Sequence, residues 1–94
     1  MQTIFTNRAD KNIESIIKNI LIQGYPDNAI KFKIKLYEFG RSLSFFPEKY
    51  PICRFEYFNK RNLRCAVYQE YIFIYKIDTD NIIIQNVIHS RLMK

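Results

Sequence analysis

The first third of the chain alternates between polar and apolar residues in two different periods. A brief polar–apolar alternation over residues 2–6 predicts a short strand. Thr6 or Asn7 then supplies the short oxygen-bearing side chain that caps a helix. One apolar face at i, i+3, i+4 and i+7 spacing follows, and Gly24 marks its end. The residues of that face are Ile13, Ile16, Ile17, Ile20 and Leu21.

A second helix is predicted to begin at Pro26, because a residue in the first helical turn needs no backbone N–H. Two apolar stripes run along it, so we expect contacts with both the first helix and a sheet. The stripes are Ala29, Ile30, Ile34 and Tyr37, and Phe32, Leu36, Phe39 and Leu43. Gly40 weakens the helical pattern near its end. The short connection between the two helices predicts an antiparallel helical hairpin.

The second half of the chain has the patterns of β-strands. Residues 44–51 are predicted to form a loop, since Pro47 and Pro51 break regular structure. Strands are then predicted over residues 54–58, 63–67, 71–77 and 82–88, joined by tight turns. We therefore expect one α+β domain over residues 1–94: an N-terminal strand, an antiparallel helical hairpin, and a twisted antiparallel sheet of three to four strands.

Positive charge is concentrated in the predicted sheet. The net charge is +6, of which residues 49–66 contribute +4 and residues 89–94 contribute +2. This distribution indicates an acidic partner, either nucleic acid or an acidic protein segment. A basic charge also keeps small domains soluble, so it does not identify the partner by itself.

The two cysteines, Cys53 and Cys65, are predicted to be reduced thiols in a cytoplasmic chain. No N-terminal segment has the order of regions found in a signal peptide, and no apolar run reaches the length of a membrane span. One histidine and two cysteines are too few for a structural zinc site. We expect neither a metal nor a cofactor.

The residues from 62 to 91 resemble one bacterial family. Leu63-Arg64 precedes an aromatic strand, Tyr71-Ile72-Phe73-Ile74-Tyr75, and the last strand ends in His89-Ser90-Arg91. Together with the order of elements, these pieces are similar to the RelE/ParE superfamily of type II toxins, and closer to ParE-like members. The resemblance implies a cytosolic toxin encoded beside an antitoxin that neutralises it. RelE-like members cleave mRNA on the ribosome, whereas ParE-like members poison DNA gyrase.

The two activities require different residues. Cleavage by 2′-hydroxyl attack needs a base, an acid and cations near the phosphorane. The resemblance to RelE-like nucleases would place Arg or Lys where this chain has Ile72, Leu63 and Cys65. Arg64 is offset by one residue and so faces the other side of its strand. His89 is the remaining acid–base candidate. If the chain is a nuclease, the candidate catalytic residues are Arg64, His89 and Arg91.

Binding roles are predicted for two groups of residues. The target-binding candidates are Lys60, Arg61, Arg64, His89 and Arg91. The antitoxin-binding candidates, if the hairpin leaves a groove for an amphipathic helix, are Ile13, Ile17, Phe32, Leu36 and Phe39. Arg64 could instead order the sheet by pairing with Glu70 or Asp80. Similarly, Tyr71 and Tyr75 share a face and are expected in the core rather than stacked on bases.

The favoured hypothesis is a ParE-type toxin that arrests growth by binding gyrase, without chemistry of its own. Its antitoxin would cover the hairpin, extend along the sheet and form a hetero-oligomer with it. The first alternative is a RelE-type, ribosome-dependent mRNA endonuclease. The second is a basic nucleic-acid-binding module without toxicity.

Overall fold

The computed structural model describes residues 1–93. The first strand, both long helices and the last three strands lie where the sequence predicts them. A short helix lies between the second long helix and the second strand, and a 3-10 turn follows the last strand. The elements are β1 (Gln2–Phe5), α1 (Asn7–Ile22), α2 (Pro26–Ser42), α3 (Glu56–Asn59), β2 (Arg64–Tyr68), β3 (Tyr71–Asp78), β4 (Asn81–His89) and the 3-10 turn Ser90–Met93.

The four strands form one sheet in the order β1-β4-β3-β2. The pairs β2–β3 and β3–β4 are antiparallel, as predicted. The strand β1 lies parallel to β4, with its register running from Gln2 opposite Asn81 to Phe5 opposite Ile84. The sheet is therefore mixed rather than purely antiparallel, because the first strand joins the edge of the last one.

The ends of the helices follow the local signals in the sequence. The Thr6 hydroxyl accepts a hydrogen bond from the Ala9 N–H at 3.1 Å and caps α1. The same hydroxyl lies 3.0 Å from the carbonyl oxygen of Ile84 and donates to it, which ties the start of α1 to β4. After α1, Gly24 adopts a φ of +89°, a backbone conformation that favours glycine. Pro26 opens α2.

Gly40 is buried inside α2 and does not end it. A Cβ atom at this position would lie 2.9 Å from Cδ1 of Ile84 and closer still to the ring of Phe5. A side chain at residue 40 would therefore displace Phe5 or Ile84, because α2 approaches the sheet closely here, which the sequence pattern alone did not indicate.

The sheet is covered on both faces. The helical hairpin packs on one face, where the largest buried side chains are those of Tyr75 and Phe73. A smaller core lies on the other face and consists of Cys53, Leu63, Ile72 and Ile74, with Phe58 packed against it. Because β3 is buried on both sides, its sequence is almost continuously apolar. Tyr71 and Tyr75 share one face and pack in or against the core, as predicted, and this face is the one that the hairpin covers.

The strand predicted over residues 54–58 is wrong. The carbonyl oxygen of Phe55 accepts hydrogen bonds from the N–H groups of Phe58 (3.0 Å) and Asn59 (2.8 Å), which close the helical turn α3. The physical reason is that Ile52 already forms a bridge with Arg64 at the edge of β2. Ile52 thus takes the position at the start of that edge, and the segment after Cys53 turns into α3 instead of continuing along β2.

The prediction of two reduced cysteines is also wrong for this structure. Cys53 and Cys65 form a disulfide, with their Cα atoms 5.0 Å apart. The segment between them contains α3 and the turn that follows it, with Lys60 and Arg61. Within residues 1–93, no helix combines the length and apolar character required to cross a bilayer.

Candidate functional site

The five predicted target-binding residues fall at two ends of the β2–β3 hairpin. Arg64 pairs in register with Tyr75, whereas His89 pairs with Tyr71 at the other end of β3. Four residue steps separate these positions, which corresponds to roughly 13 Å along a strand. The structure therefore brings His89 and Arg91 together and places Arg64 apart from them.

The first group of cations lies in and after α3. The Nζ atom of Lys60 lies 3.1 Å from Oε1 of Glu56, and both side chains are exposed. Arg61 donates a hydrogen bond from Nη1 to the hydroxyl of Tyr57 at 2.9 Å, and its guanidinium lies 4.3 Å from the centre of the same ring. This cation–π contact holds Arg61 in one position at the surface. We call Tyr57, Lys60 and Arg61 the α3 patch.

The second group surrounds His89. Its Nδ1 atom accepts hydrogen bonds from the backbone N–H of Arg91 (3.1 Å) and from Nε of Arg91 (3.4 Å). Its Nε2 atom lies 3.3 Å from Oε2 of Glu70. Because Nδ1 is an acceptor, the ring proton is assigned to Nε2 and is donated to Glu70. Both ring nitrogens therefore already have partners within the protein.

Tyr71 packs edge-on against the His89 ring, with 5.3 Å between the ring centres. Burial raises the pKa of Tyr71, and the charge of Glu70 acts in the same direction. The positive charge of Arg91 opposes them and lowers this pKa. The group thus combines one acid, one cation and two rings at the end of the sheet. We call Glu70, Tyr71, His89 and Arg91 the His89 cluster.

Arg64 has a structural contact instead of the predicted carboxylate partner. Its Nη1 atom donates to the carbonyl oxygen of Tyr50 at 2.6 Å, in a partly buried position. Next to it, the hydroxyl of Tyr75 donates to the carbonyl oxygen of Pro47, also at 2.6 Å. Arg64 and Tyr75 therefore fix the loop of residues 44–51 onto the sheet. Neither Glu70 nor Asp80 pairs with Arg64, so that prediction is wrong.

A groove of about 900 Å³ lies between the helical hairpin and the end of the sheet that carries the His89 cluster. Lys31 and Lys35 of α2 line one side, and His89 and Arg91 line the other. Apolar residues, among them Phe32, also line this groove. The groove thus offers apolar area between cations, which suits an amphipathic and acidic segment. No group of three or more His, Cys, Asp or Glu side chains within residues 1–93 could hold a metal ion.

The chain was compared with known families and structures. The family model for the ParE toxin of the type II toxin–antitoxin system parDE matches residues 3–92. The chain belongs to the ParE toxin family. Its fold is similar to a solved chain described as "Chromosomal ParDE TA system from P. aeruginosa", with a TM-score of 0.81 and 13% identity over 95% of each chain. A comparison with curated proteins gave no match.

The hairpin of this ParE-family chain also exposes apolar residues that were not among those predicted to bind an antitoxin. Ile13 and Leu36 have no exposed surface, because they pack in the core beneath the hairpin. The other three predicted residues, Ile17, Phe32 and Phe39, are partly buried against the same core. Ile30 and Ile34 of the first stripe are instead 62% and 52% exposed. Both lie one helical turn apart, so they share the outer face of α2.

The exposure of two further apolar residues of the ParE-family chain was not predicted from the sequence. Phe45 and Phe46 are 76% and 73% exposed, although they lie in the loop that Arg64 and Tyr75 fix in place. An adjacent phenylalanine pair in a proline-containing loop was the available signal, because loops run over the surface and large apolar side chains exposed there often mark a binding site.

Proposed function

We propose that the chain is the growth-arresting toxin of a type II toxin–antitoxin pair, that it acts in the cytoplasm by binding DNA gyrase, and that a cognate antitoxin neutralises it. In this proposal the toxin performs no chemistry. Family membership supports the toxin–antitoxin role, since the ParE family model spans residues 3–92.

The separation of the candidate catalytic residues is the observation that favours binding over RNA cleavage. A nuclease would need Arg64, His89 and Arg91 around one phosphate. Arg64 is engaged with the Tyr50 carbonyl, and it lies at the other end of β3 from His89. In addition, Ile72 and Leu63 are buried apolar residues at positions where a cation would be needed. Charge stabilisation of a developing phosphorane requires cations aimed at one point, and Arg64 does not meet His89 and Arg91 at such a point.

The antitoxin is proposed to use the helical side of the molecule. Its amphipathic helix would cover the outer face of α2 at Ile30 and Ile34, where apolar area is exposed. An acidic extended segment would then enter the groove and neutralise Lys31, Lys35 and Arg91, which line it. The resulting complex is a toxin–antitoxin hetero-oligomer.

A supercoiling assay tests the gyrase proposal. The purified chain, added to gyrase and relaxed plasmid, is expected to inhibit supercoiling, and addition of the cognate antitoxin is expected to restore it. Absence of inhibition at micromolar excess, together with cleavage of mRNA in a translation extract, would instead establish the RelE-type activity. No effect in either assay, together with binding of the chain to nucleic acid, would favour the non-toxic binding module.

The variant His89→Ala separates binding from catalysis. Loss of a general acid or base typically lowers a rate by 10²- to 10⁴-fold. If the toxin only binds, growth arrest by His89→Ala is expected to stay within a few-fold of the parent chain. Glu70→Gln is the matched control, since it removes the charge that contacts His89 and leaves the imidazole in place. A loss of toxicity of 10²-fold or more in His89→Ala alone, with unchanged thermal unfolding and unchanged affinity for gyrase, would refute the binding mechanism.

A further inference from the structure

The position of the disulfide follows from the backbone around it. The Cys53 N–H donates to the carbonyl oxygen of Leu63 at 2.8 Å, and the Cys65 N–H donates to that of Pro51 at 3.2 Å. Ile52 forms the bridge with Arg64 between these two bonds. The two cysteines are thus held side by side by backbone contacts as well as by the disulfide.

The two cysteine residues differ in their exposure to solvent. Cys53 is 1% exposed and belongs to the smaller core, whereas Cys65 on β2 is only partly buried. An external reagent therefore reaches Cys65 first, and Cys53 is the neighbour that completes the bond. This is the arrangement of an attacking and a resolving thiol.

We propose that Cys53 and Cys65 form a reversible thiol oxidation site that controls the order of the segment between them. Thiols in the cytoplasm are kept reduced, so a disulfide at this place would form when the thiol pool becomes oxidised. The cytoplasmic setting rests on the function proposed above, whereas the chemistry of the pair does not.

The oxidant is a small disulfide such as oxidised glutathione. The Cys65 thiolate attacks one of its sulfurs, forms a mixed disulfide and expels one small thiolate, which is protonated. The Cys53 thiolate then attacks the Cys65 sulfur, forms the protein disulfide and expels the second small thiol. Two electrons and two protons pass from the protein to the small disulfide, which leaves as two thiols.

The segment that the bond controls contains the α3 patch. Besides the disulfide, three kinds of contact hold residues 54–62: the two backbone hydrogen bonds at the ends, the hydrogen bond from Asn59 Nδ2 to the Cys53 carbonyl oxygen (3.1 Å), and the packing of Phe58. The disulfide adds a covalent link between the two ends of the segment. Oxidation is therefore expected to order Tyr57, Lys60 and Arg61, and reduction is expected to loosen them.

The redox property is tested with the whole chain in glutathione buffers of graded ratio. Thiols are trapped by alkylation and counted by mass spectrometry. We expect the chain to change from two free thiols to none within the range set by reduced and oxidised glutathione. A chain that keeps both thiols in oxidised glutathione, or keeps the disulfide in a large excess of reduced glutathione, overturns the proposal.

Limited trypsin digestion tests the effect on the segment. Reduction is expected to speed cleavage after Lys60 and Arg61 several-fold, while cleavage after Lys33 in α2 changes little. The double variant Cys53→Ser/Cys65→Ser is the control and should be cleaved at the fast rate in either buffer. Equal cleavage of the parent chain in both buffers, or equal acceleration at Lys33, would refute local control of this segment.

The same two redox forms can be compared in the supercoiling assay. Stronger inhibition by the oxidised form supports a role of the ordered α3 patch in target binding. Failure of both forms to inhibit gyrase contradicts the function proposed above, but the thiol and trypsin results still decide the oxidation site on their own.

Discussion

At Gly40 the backbone of α2 passes so close to the sheet that a single methyl group would displace a neighbouring side chain. The clash involves Ile84 of β4 and Phe5 of β1, whose ring also packs on Tyr37 with 4.8 Å between ring centres. In the sequence, the same glycine only lowers the helical propensity. Its role depends on two strands that are distant along the chain, so local patterns could not reveal it.

The variant Gly40→Ala is expected to destabilise the fold, although alanine favours an isolated helix. Propensity would stabilise α2 by about 1 kcal/mol. Forcing a methyl group into a packed site costs roughly 1–3 kcal/mol, and here the site includes a fully buried side chain. We expect a net loss of about 1 kcal/mol in the free energy of unfolding, measured with urea. The double variant Phe5→Leu/Gly40→Ala should lose less than the sum of the single variants. A gain of stability in Gly40→Ala would show that the helix has space there.

The candidate site was only partly predictable from its residues. His89 and Arg91 lie two positions apart at the end of one strand, so their proximity follows from the sequence. The partner of Arg64 could not be predicted, because the Tyr50 carbonyl belongs to a loop whose path does not follow from the sequence pattern. A carboxylate is the usual partner of an arginine, but the partly buried Tyr50 carbonyl oxygen also requires a hydrogen-bond donor, which Arg64 supplies.

Among the elements, the loop of residues 44–51 shows how two side chains of the sheet organise an irregular segment. Tyr75 has no exposed surface, and its hydroxyl reaches the Pro47 carbonyl. Burial raises the pKa of Tyr75 to about 12, against a partial opposing effect of Arg64. The phenol therefore stays protonated and remains a donor at neutral pH.

The variant Tyr75→Phe is expected to lower the free energy of unfolding at pH 7 by roughly 1–2 kcal/mol, because the Pro47 carbonyl loses its donor. The difference from the parent chain should shrink in alkaline solution. A tyrosine in the unfolded chain titrates near pH 10. The raised pKa of Tyr75 therefore stabilises the fold fully below pH 10, and this contribution is lost as the pH rises towards 12.

Burial also raises the pKa of Tyr37 to about 12, and its hydrogen bond to Asp10 adds to this effect. The parent chain and the Tyr75→Phe variant therefore both lose some stability between pH 10 and pH 12. The informative quantity is the difference between the parent chain and Tyr75→Phe, measured by denaturant unfolding from pH 9 to pH 11.5. Tyr25→Phe, at an exposed position, controls for the loss of a phenol. A difference that stays constant with pH would contradict the role given to Tyr75.

For the whole molecule, the order of elements was predictable but the pairing of distant elements was only partly so. Periodicity and end signals gave both helices and the last three strands, since these depend on neighbouring residues. The parallel contact of β1 with β4 and the cover of the second sheet face are set by residues far apart. Residues 54–58 were predicted to be a strand because polar and apolar residues alternate there. In the structure, one of the apolar residues, Phe58, packs on the second face of the sheet from a helical turn.

The two faces of the sheet carry different proposed partners. The outer face of α2 with Ile30 and Ile34 lies on the helical side, whereas the α3 patch lies beside the smaller core on the other side. We expect Ile30→Ser/Ile34→Ser to weaken antitoxin binding by roughly 10- to 100-fold, since exposed apolar anchors dominate such interfaces. Its gyrase inhibition should be unchanged.

Conversely, Lys60→Glu/Arg61→Glu is expected to weaken gyrase inhibition and to make the remaining inhibition less sensitive to salt concentration. The affinity for the antitoxin should be retained. Lys11→Glu/Lys18→Glu changes the net charge equally on exposed positions of α1 and is the matched control. Calorimetry with the antitoxin and the supercoiling assay at two salt concentrations provide the measurements. If both surface variants lose the same activity, the assignment of partners to opposite faces is wrong.

The pairing of the first strand with the last has a consequence for how the chain is made. Synthesis proceeds from the N-terminus, so β1 emerges with no partner and waits until residues 81–84 exist. Since β4 lies between β1 and β3, a chain released before residue 81 leaves β1 without any partner and β3 paired only with β2. Prematurely terminated products should therefore be unfolded and open to proteases, and only a nearly complete polypeptide can acquire its active shape.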